Sequence, residues 1–476
     1  MANGISSAPR NFTKLLKVPL SVLREKHNIL ITAYLDDLLL LAATQSQLLT
    51  NVNTTIQLLT SLGFTISPKK SVITPSRRIQ FLGYTIDSAT MTVTLAPGKA
   101  EDIQRLISDT LQHKSMTIRE FAQLVGKLAS TLQANEYGQV YLKRLETAKA
   151  QALRVNHNSY EGQLTLTDEV RQDLLWWLTH ITGVSRPINR PNPHLTMYTD
   201  ASFKGWGCYI PQTNTKTGGR WGPQEQLLDI NGLELSAVLL SLQSCCAHLE
   251  NKHILIQSDN TTTVVSVNRQ GSTHSPRCNA VARQIWIWAI KSKNWLSATH
   301  CPGVLNVEAD LASRIFNDTT EWMLSKYYFR RLCHTFMTPD IDLFASRLNF
   351  QIKQYCAWQP DPGAFAIDSF TLDWSEFNCV YVFPPFSVVG KALQKIETDR
   401  ATAIVVVPDW PTQPWYSKLQ LMTHAPPLRI PVRDNTLQLQ HDLEMVHPLS
   451  GKLTLLACMV QYSSTRNKEC LSRWPR

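Results

Sequence analysis

The chain has 476 residues, room for three or four domains of ordinary size, and at 43% hydrophobic and 18% charged it has the balance of a core-forming chain. Its 47 Lys and Arg against 37 Asp and Glu leave a formal net charge of +10. Apolar runs such as Leu38–Ala43 fall far short of the ~20 residues that span a bilayer, the first ten residues carry no apolar signal core, and the ten Cys form no CxxC pair, so no membrane span, secretory signal, disulfide scaffold or zinc ribbon is expected.

The charge is uneven. Residues 1–160 hold 18 Lys/Arg and 10 Asp/Glu, a net of +8, which leaves +2 for the rest. A basic first third suggests a phosphate-bearing partner; a solvated basic surface is the alternative.

In chain order, residues 29–41 read as two strands around a turn at Leu35-Asp36-Asp37. Residues 46–62 read as a helix with Leu48, Val52, Ile56 and Leu59 on one face, stopped by Gly63. Short strands are expected around Phe64–Ile66 and Ile79–Ile86, then a break at Pro97-Gly98. Residues 99–150 read as mainly helical, with a capping box at Thr117-Ile-Arg-Glu120, and a further helix covers about 167–180. The stretch Val184–Pro193, with three Pro, reads as a linker. Beyond it strands at Leu195–Asp200, Gly207–Ile210, His253–Ser258 and Trp295–His300 alternate with helices at Glu234–Leu242 and Arg277–Ile290, a mixed α/β pattern. From about 335 another α/β pattern begins, with strands near 341–345, 379–383 and 402–407.

Four acidic residues stand at strand ends and helix starts: Asp200 and Asp259 end strands, Glu234 opens a helix, and Asp310 starts one after the polar loop His300–Asn306. Such positions converge at one sheet edge, where four carboxylates repel one another unless cations bind among them. Two Mg²⁺ or Mn²⁺ ions about 4 Å apart suit such hard oxygen ligands and in-line phosphodiester hydrolysis. The bland alternative is a set of solvated strand-end acids.

The order Tyr198-Thr-Asp-Ala-Ser202, Glu234-Leu-Ser-Ala237, Ser258-Asp-Asn260, His300…Asn306…Ala309-Asp310…Ser313-Arg314 resembles the RNase H domain of reverse transcriptases over about residues 194–318. The resemblance implies that Asp200, Glu234, Asp259 and Asp310 bind the metals and that His300 is a mobile loop histidine assisting product release. A loop His capping a helix is the other reading of His300.

Tyr34-Leu-Asp-Asp37 places adjacent carboxylates in a tight turn between apolar strands, an arrangement expected to be costly without a cation. It resembles the palm hairpin of reverse transcriptases, where the two Asp hold metals for nucleotidyl transfer. Around it, Gly4-Ile-Ser-Ser-Ala-Pro9 resembles the template-positioning motif, Gly63–Lys70 the segment after the hairpin, with Lys70 near pyrophosphate, and Phe81-Leu-Gly83 the primer grip. Helices at 99–150, Lys127 among them, would be the thumb, holding duplex by its phosphates. The family's further catalytic Asp lies upstream of the template-positioning motif, so the chain is expected to be a poor polymerase by itself.

Asp342-Leu-Phe-Ala-Ser-Arg347 with Phe383-Pro-Pro-Phe386 resembles the domain that follows RNase H in DIRS-type, tyrosine-recombinase retrotransposons, itself similar to an adenine methyltransferase. That pattern expects a polar acceptor where Phe383 stands, and there is no Gly-rich cofactor turn, so S-adenosylmethionine is not expected.

The expected fold is thus a multidomain α/β and α+β chain. It comprises a partial palm (1–94), a helical thumb (95–160), a connection and linker (161–193), an RNase H-like mixed-sheet domain (194–318) and a doubly wound C-terminal α/β domain (335–476). The resemblance implies an intracellular internal piece of a retroelement polyprotein. It would cleave RNA in RNA–DNA hybrids, with hybrid, other nucleic acid and other polypeptides of the element as partners, and no membrane. The rivals are a non-catalytic nucleic-acid-binding relic and a DNA adenine methyltransferase with an RNase H-like companion.

Overall fold

The computed structural model describes residues 6–272, 275–316 and 322–461. Gly4 lies outside them. The chain divides into two compact units, Met1–Arg190 and Pro191–Arg476. No helix among the described residues is long and apolar enough to cross a membrane.

The first unit opens with α1 (Ala8–Glu25), whose buried Leu16, Leu20 and Leu23 pack on Ile29, Ile31 and Leu59. Pro9 sits in its first turn, where a missing N–H breaks no bond. β1 (Leu30–Tyr34) and β2 (Asp37–Leu41) form an isolated antiparallel hairpin closed by the Tyr34–Asp37 pair. α2 (Gln45–Ser61) follows as expected, but its buried line is Asn51, Thr55 and Leu59, with the expected Leu48, Val52 and Ile56 only half-buried beside it. Thr55 tolerates that position because its hydroxyl donates to the Asn51 carbonyl at 2.7 Å.

Phe64–Ile66 forms no strand; Phe64 and Ile66 pack irregularly against the α1–hairpin core. The expected strand over 79–86 is instead two, β3 (Arg78–Phe81) and β4 (Tyr84–Asp87), joined at Leu82 (φ +52°) and Gly83 (φ +79°). Two successive left-handed residues are what a tight hairpin turn requires. β5 (Thr92–Leu95) continues this sheet.

α3 (Lys99–Gln112), β6 (Ser115–Thr117), α4 (Ile118–Ala129), α5 (Gly138–Val155), β7 (Gln163–Thr165) and α6 (Asp168–His180) build one core around Ile107, Phe121, Leu124, Leu145, Leu174 and Trp177. The Thr117–Glu120 capping box forms in full. The expected linker departs from expectation at its start: β8 (Ser185–Pro187) pairs with β5 as the fourth strand of the β3-β4-β5-β8 sheet. Pro187 is tolerated because this is an edge strand.

In the second unit, β9 (Leu195–Ala201), β10 (Gly205–Ile210) and β11 (Thr215–Arg220) run antiparallel. After α7 (Ile230–Cys245), β12 (His253–Ser258) pairs parallel with β9. It is followed by α8 (Thr261–Asn268), α9 (Pro276–Lys291) and β13 (Trp295–His300), parallel to β12, and then α10 (Val307–Arg314). The sheet order is β11-β10-β9-β12-β13. β11 is polar and Gly-rich, Thr-Lys-Thr-Gly-Gly-Arg, and carries no apolar alternation to announce it. Its glycines and those of β10 admit α10: a Cβ on Gly207 would lie 2.1 Å from the Ala309 carbonyl oxygen. α7 starts earlier than expected, at Ile230, capped by Asp229, which accepts from the Gly232 N–H at 2.8 Å. Glu234 therefore lies in its second turn and does not open it. The reason it misleads is burial on every side, from Gly232 to Leu242, which erases the helical stripe.

The remainder contains β14 (Met323–Leu324), α11 (Lys326–Thr335), β15 (Ile341–Asp342), β16 (Cys356–Ala357), β17 (Ala366–Ile367), β18 (Val380–Val382), α12 (Val389–Asp399), β19 (Thr402–Pro408), α13 (Tyr416–Met422), β20 (Leu428–Pro431), β21 (Leu437–Gln438) and β22 (Thr454–Gln461). The sheet order is β15-β18-β19-β22-β20. Val405 and Val407 face α12, while Ile404 and Val406 face the α11 side, so both faces are covered. The expected doubly wound sheet holds only for its parallel half, β15-β18-β19. β22 runs antiparallel to both β19 and β20: α13 carries the chain over from β19 to β20, and the stretch from β20 through β21, which pairs with β14, holds no helix and turns the chain back between them. Leu324 and Leu332, upstream of residue 335, belong to this core.

Candidate active site

β9 and β12 are parallel neighbours, so Asp200 near the end of one and Asp259 just past the other reach the same sheet edge. α7 crosses there and delivers Glu234. One oxygen each of Asp200, Glu234 and Asp259 lie within 4.8 Å of one another. Asp200 and Glu234 are buried and Asp259 is more open.

Asp310 sits on α10 beside this trio and not within it: its Oδ1 accepts from Arg314 Nε at 2.6 Å and forms an ion pair with Arg314 Nη2 at 2.6 Å. The same helix reaches the trio through Ser313, whose hydroxyl donates to Asp200 Oδ2 at 2.7 Å. His300 ends β13, is exposed, and pairs across the strands with Ser258, the residue before Asp259.

The electrostatics follow from burial and like charge. Burial pushes the Asp200 carboxyl up to about 6, with the Asp310 and Asp259 charges adding to it and the Ser313 hydrogen bond opposing. Glu234 goes up to about 8, first through burial, then through the charges of Asp200 and Asp259, against a hydrogen bond from Ala201. Glu234 Oε2 is buried with no hydrogen-bond partner. An orphaned carboxylate oxygen facing two further carboxylates is unfavourable until a cation or a proton joins it. Three converging hard oxygen donors, one orphaned, fit a hard divalent cation.

The sequence motifs contain Ser202, Asn260, Asn306 and Ser313 but assign them no role, and they omit Trp221 and Asn231; these residues lock the elements together. Ser202 Oγ lies 2.6 Å from the Ser313 carbonyl oxygen, Trp221 Nε1 donates to the Ser202 carbonyl at 2.7 Å, and Asn306 Nδ2 donates to the Thr199 carbonyl at 3.0 Å. Asn260 Nδ2 ties the Asp259 loop to Asn231 of α7 at 3.0 Å. A Cβ on Gly303 would stand 3.1 Å from Asp259 Oδ2, so the loop after His300 passes close to the trio. The available signal was the run of small polar residues flanking each acid; their partners are set by the fold.

Asp36 and Asp37 occupy the tip of the β1–β2 hairpin, beside Leu35 at φ +53°. Both side chains are exposed, so the cost expected of them without a cation does not arise, because water solvates them. Among the described residues no further His, Cys or acidic ligand gathers with them. Pro9 is exposed at the start of α1. Lys70 is exposed in the 3-10 turn Pro68–Lys70, and Lys127 is exposed in the last turn of α4. Phe81 is half-buried at the β3–β4 turn. Gly83 lies against Lys99, whose Nζ donates to the Ser130 carbonyl at 3.1 Å and sits 4.9 Å over the Tyr84 ring. Phe383 packs into the C-terminal core.

Residues 1–86 match the model of the reverse transcriptase (RNA-dependent DNA polymerase) family. No curated protein matches the chain. Among solved structures, the chain is similar to the foamy viral protease–reverse transcriptase in complex with double-stranded DNA, at 15% identity and a TM-score of 0.35, over 63% of this chain and 60% of that one. The foamy viral enzyme in complex with an RNA/DNA hybrid gives 15% identity and a TM-score of 0.34, over 63% of this chain and 39% of that one. RNase H1 of the halophilic archaeon Halobacterium salinarum NRC-1 gives 17% identity and a TM-score of 0.21, over 25% of this chain and 92% of that one. The chain thus spans between 39% and 60% of the foamy viral chains.

Proposed function

We propose that this chain hydrolyses the RNA strand of RNA–DNA hybrids at the site built by Asp200, Glu234 and Asp259, with Asp310 completing the set. The observation that carries this reading is the convergence of three carboxylates within 4.8 Å of one another, one of them from Glu234, which also has a buried, unpartnered oxygen. Mg²⁺ or Mn²⁺ held there supplies Lewis-acid activation of water and stabilisation of the leaving oxygen. Ser313 keeps Asp200 Oδ2 occupied and leaves its other oxygen for a ligand. The Ala201 hydrogen bond does the same for Glu234. Arg314 orients Asp310. His300, exposed at the end of β13 and paired across the strands with Ser258, is read as the residue that assists product release.

The match of residues 1–86 supports reading them with the residues to 94 as part of a reverse-transcriptase palm. Residues 95–160 are read as its thumb from their basic helices, and a DIRS-type retroelement from the Asp342–Arg347 and Phe383–Phe386 resemblance alone. Exposed Asp36 and Asp37, with no third ligand gathered among the described residues, support no independent polymerase activity for this hairpin. The C-terminal sheet is read as a structural domain without methyl transfer. The non-catalytic relic remains the second reading, favoured only by the solvated state of Asp36 and Asp37.

The test is Mg²⁺-dependent cleavage of a labelled RNA–DNA hybrid by the whole chain and by Asp259→Asn. The reading expects cleavage that disappears in the variant while hybrid binding survives. A wild-type chain that binds hybrid and never cuts it, across Mg²⁺ and Mn²⁺, establishes the relic instead.

A further inference from the structure

α10 has two working flanks. Asp310 faces the acidic cluster, and Ala312, two residues and about 200° further round the helix, lines a separate cleft of about 320 Å³. The cleft is bounded by Lys216 and Arg220 of β11, Phe316 just past α10, and Arg347 and Trp358 from the C-terminal part. α10, about 10–12 Å across with its side chains, contributes to both places.

Trp358 is 70% exposed. Its loop is nevertheless fastened. Gln359 Nε2 donates to the Gly218 carbonyl at 3.1 Å, and Thr217 donates to the Pro360 carbonyl. The Arg347 N–H donates to Asp361 at 3.1 Å, and Arg347 Nη2 donates to the Arg220 carbonyl at 2.8 Å. An indole held in the open on a braced loop is a stacking surface that loses little freedom on binding. The cations around it are largely matched: Lys216 lies 2.7 Å from Glu308, and Arg347 lies 2.9 Å from Glu225. The Arg220 guanidinium carbon lies over the Phe316 ring, 4.3 Å from its centroid. The chemistry offered is therefore a π-face more than a phosphate clamp, and nucleobases are the ligands whose faces fit it.

We propose that this cleft takes a single-stranded nucleic-acid extension leaving the hybrid at the acidic cluster, one base stacking on Trp358. The inference rests on the hydrolase reading only for where the duplex part sits. Fluorescence anisotropy on the whole chain, with Ca²⁺ in place of Mg²⁺, compares a blunt hybrid with hybrids bearing an extension of about six nucleotides, DNA or RNA, at either end. The wild type is expected to bind one extended form about tenfold tighter than the blunt one, with the DNA and RNA arms identifying the strand. Trp358→Ala brings that ratio to about one and Trp358→Phe keeps most of it. Because stacking and not ion release supplies the preference, the ratio changes little between about 50 and 200 mM salt. An equal ratio in wild type and Trp358→Ala, or no preference in the wild type, overturns the proposal. Hybrid cleavage without an extension preference sinks this inference alone. A Trp358-dependent preference in a chain that cuts nothing sinks the hydrolase reading alone.

Discussion

Ser313 donates its hydroxyl proton to Asp200 Oδ2 at 2.7 Å across 113 residues of sequence. This one bond joins the strand that carries the most central acid of the site to the helix that carries Asp310. It ties Asp200 Oδ2 to α10, while Asp200 keeps a carboxylate oxygen within 4.8 Å of one from Glu234 and one from Asp259.

Ser313→Ala should therefore weaken divalent-ion binding about 10- to 100-fold, the usual effect of losing a hydrogen bond that orients a ligand. Calorimetric titration with Mn²⁺ measures it. Unchanged affinity means that Asp200 is oriented by its strand alone.

Gly207→Ala pushes a Cβ to within 2.1 Å of the Ala309 carbonyl oxygen, a backbone atom that cannot swing aside. The substitution should cost about 1–3 kcal/mol and displace α10 with Asp310. Urea melts report the first effect. Gly219→Ala, whose nearest atom is the Trp206 Nε1 at 3.3 Å, is the milder control on the neighbouring strand.

Asp342 is wholly buried, and burial pushes its carboxyl up to about 7, against hydrogen bonds from the Gln351 and Phe344 amides. Its folded-state value lies above the unfolded 3.8, so the folded form holds the proton longer. Stability from this group is present at low pH and drains away as pH rises from about 4 to about 7, by roughly 2–4 kcal/mol. Asp342→Asn should lack that loss, so its advantage over the wild type grows with pH across this window. Parallel denaturant melts on the two proteins check it; a constant difference would count against a buried proton.

Asp36→Asn and Asp37→Asn should each leave stability within about 0.5 kcal/mol of the wild type, because both side chains stand in water. A gain of 1 kcal/mol or more in the double variant would show mutual repulsion that the exposed geometry does not suggest.

What could be read from the chain alone was local. The Thr117 capping box, the Gly63 stop and the hairpin around Asp36-Asp37 depend on contacts within a few residues, and each is found where the spacing puts it. Asp200, Asp259 and Asp310 could be picked out because strand ends and helix starts leave their mark in neighbouring residues, whereas the pattern puts Glu234, in the second turn of α7, at a helix start that the structure moves upstream. Only tertiary structure decided the rest. The polar β11 exists because β10 offers it a hydrogen-bonding edge, and α10 settles there because Gly207 and Gly218 have no side chain in its way. α7 is longer than its pattern because it is buried all round. The parallel pairing of β9 with β12, between segments more than fifty residues apart, together with the crossing of α7, gathers three like charges that no local preference would place together. Burial then raises the carboxyls of Asp200 and Glu234, because a charge withdrawn from water must find a new partner.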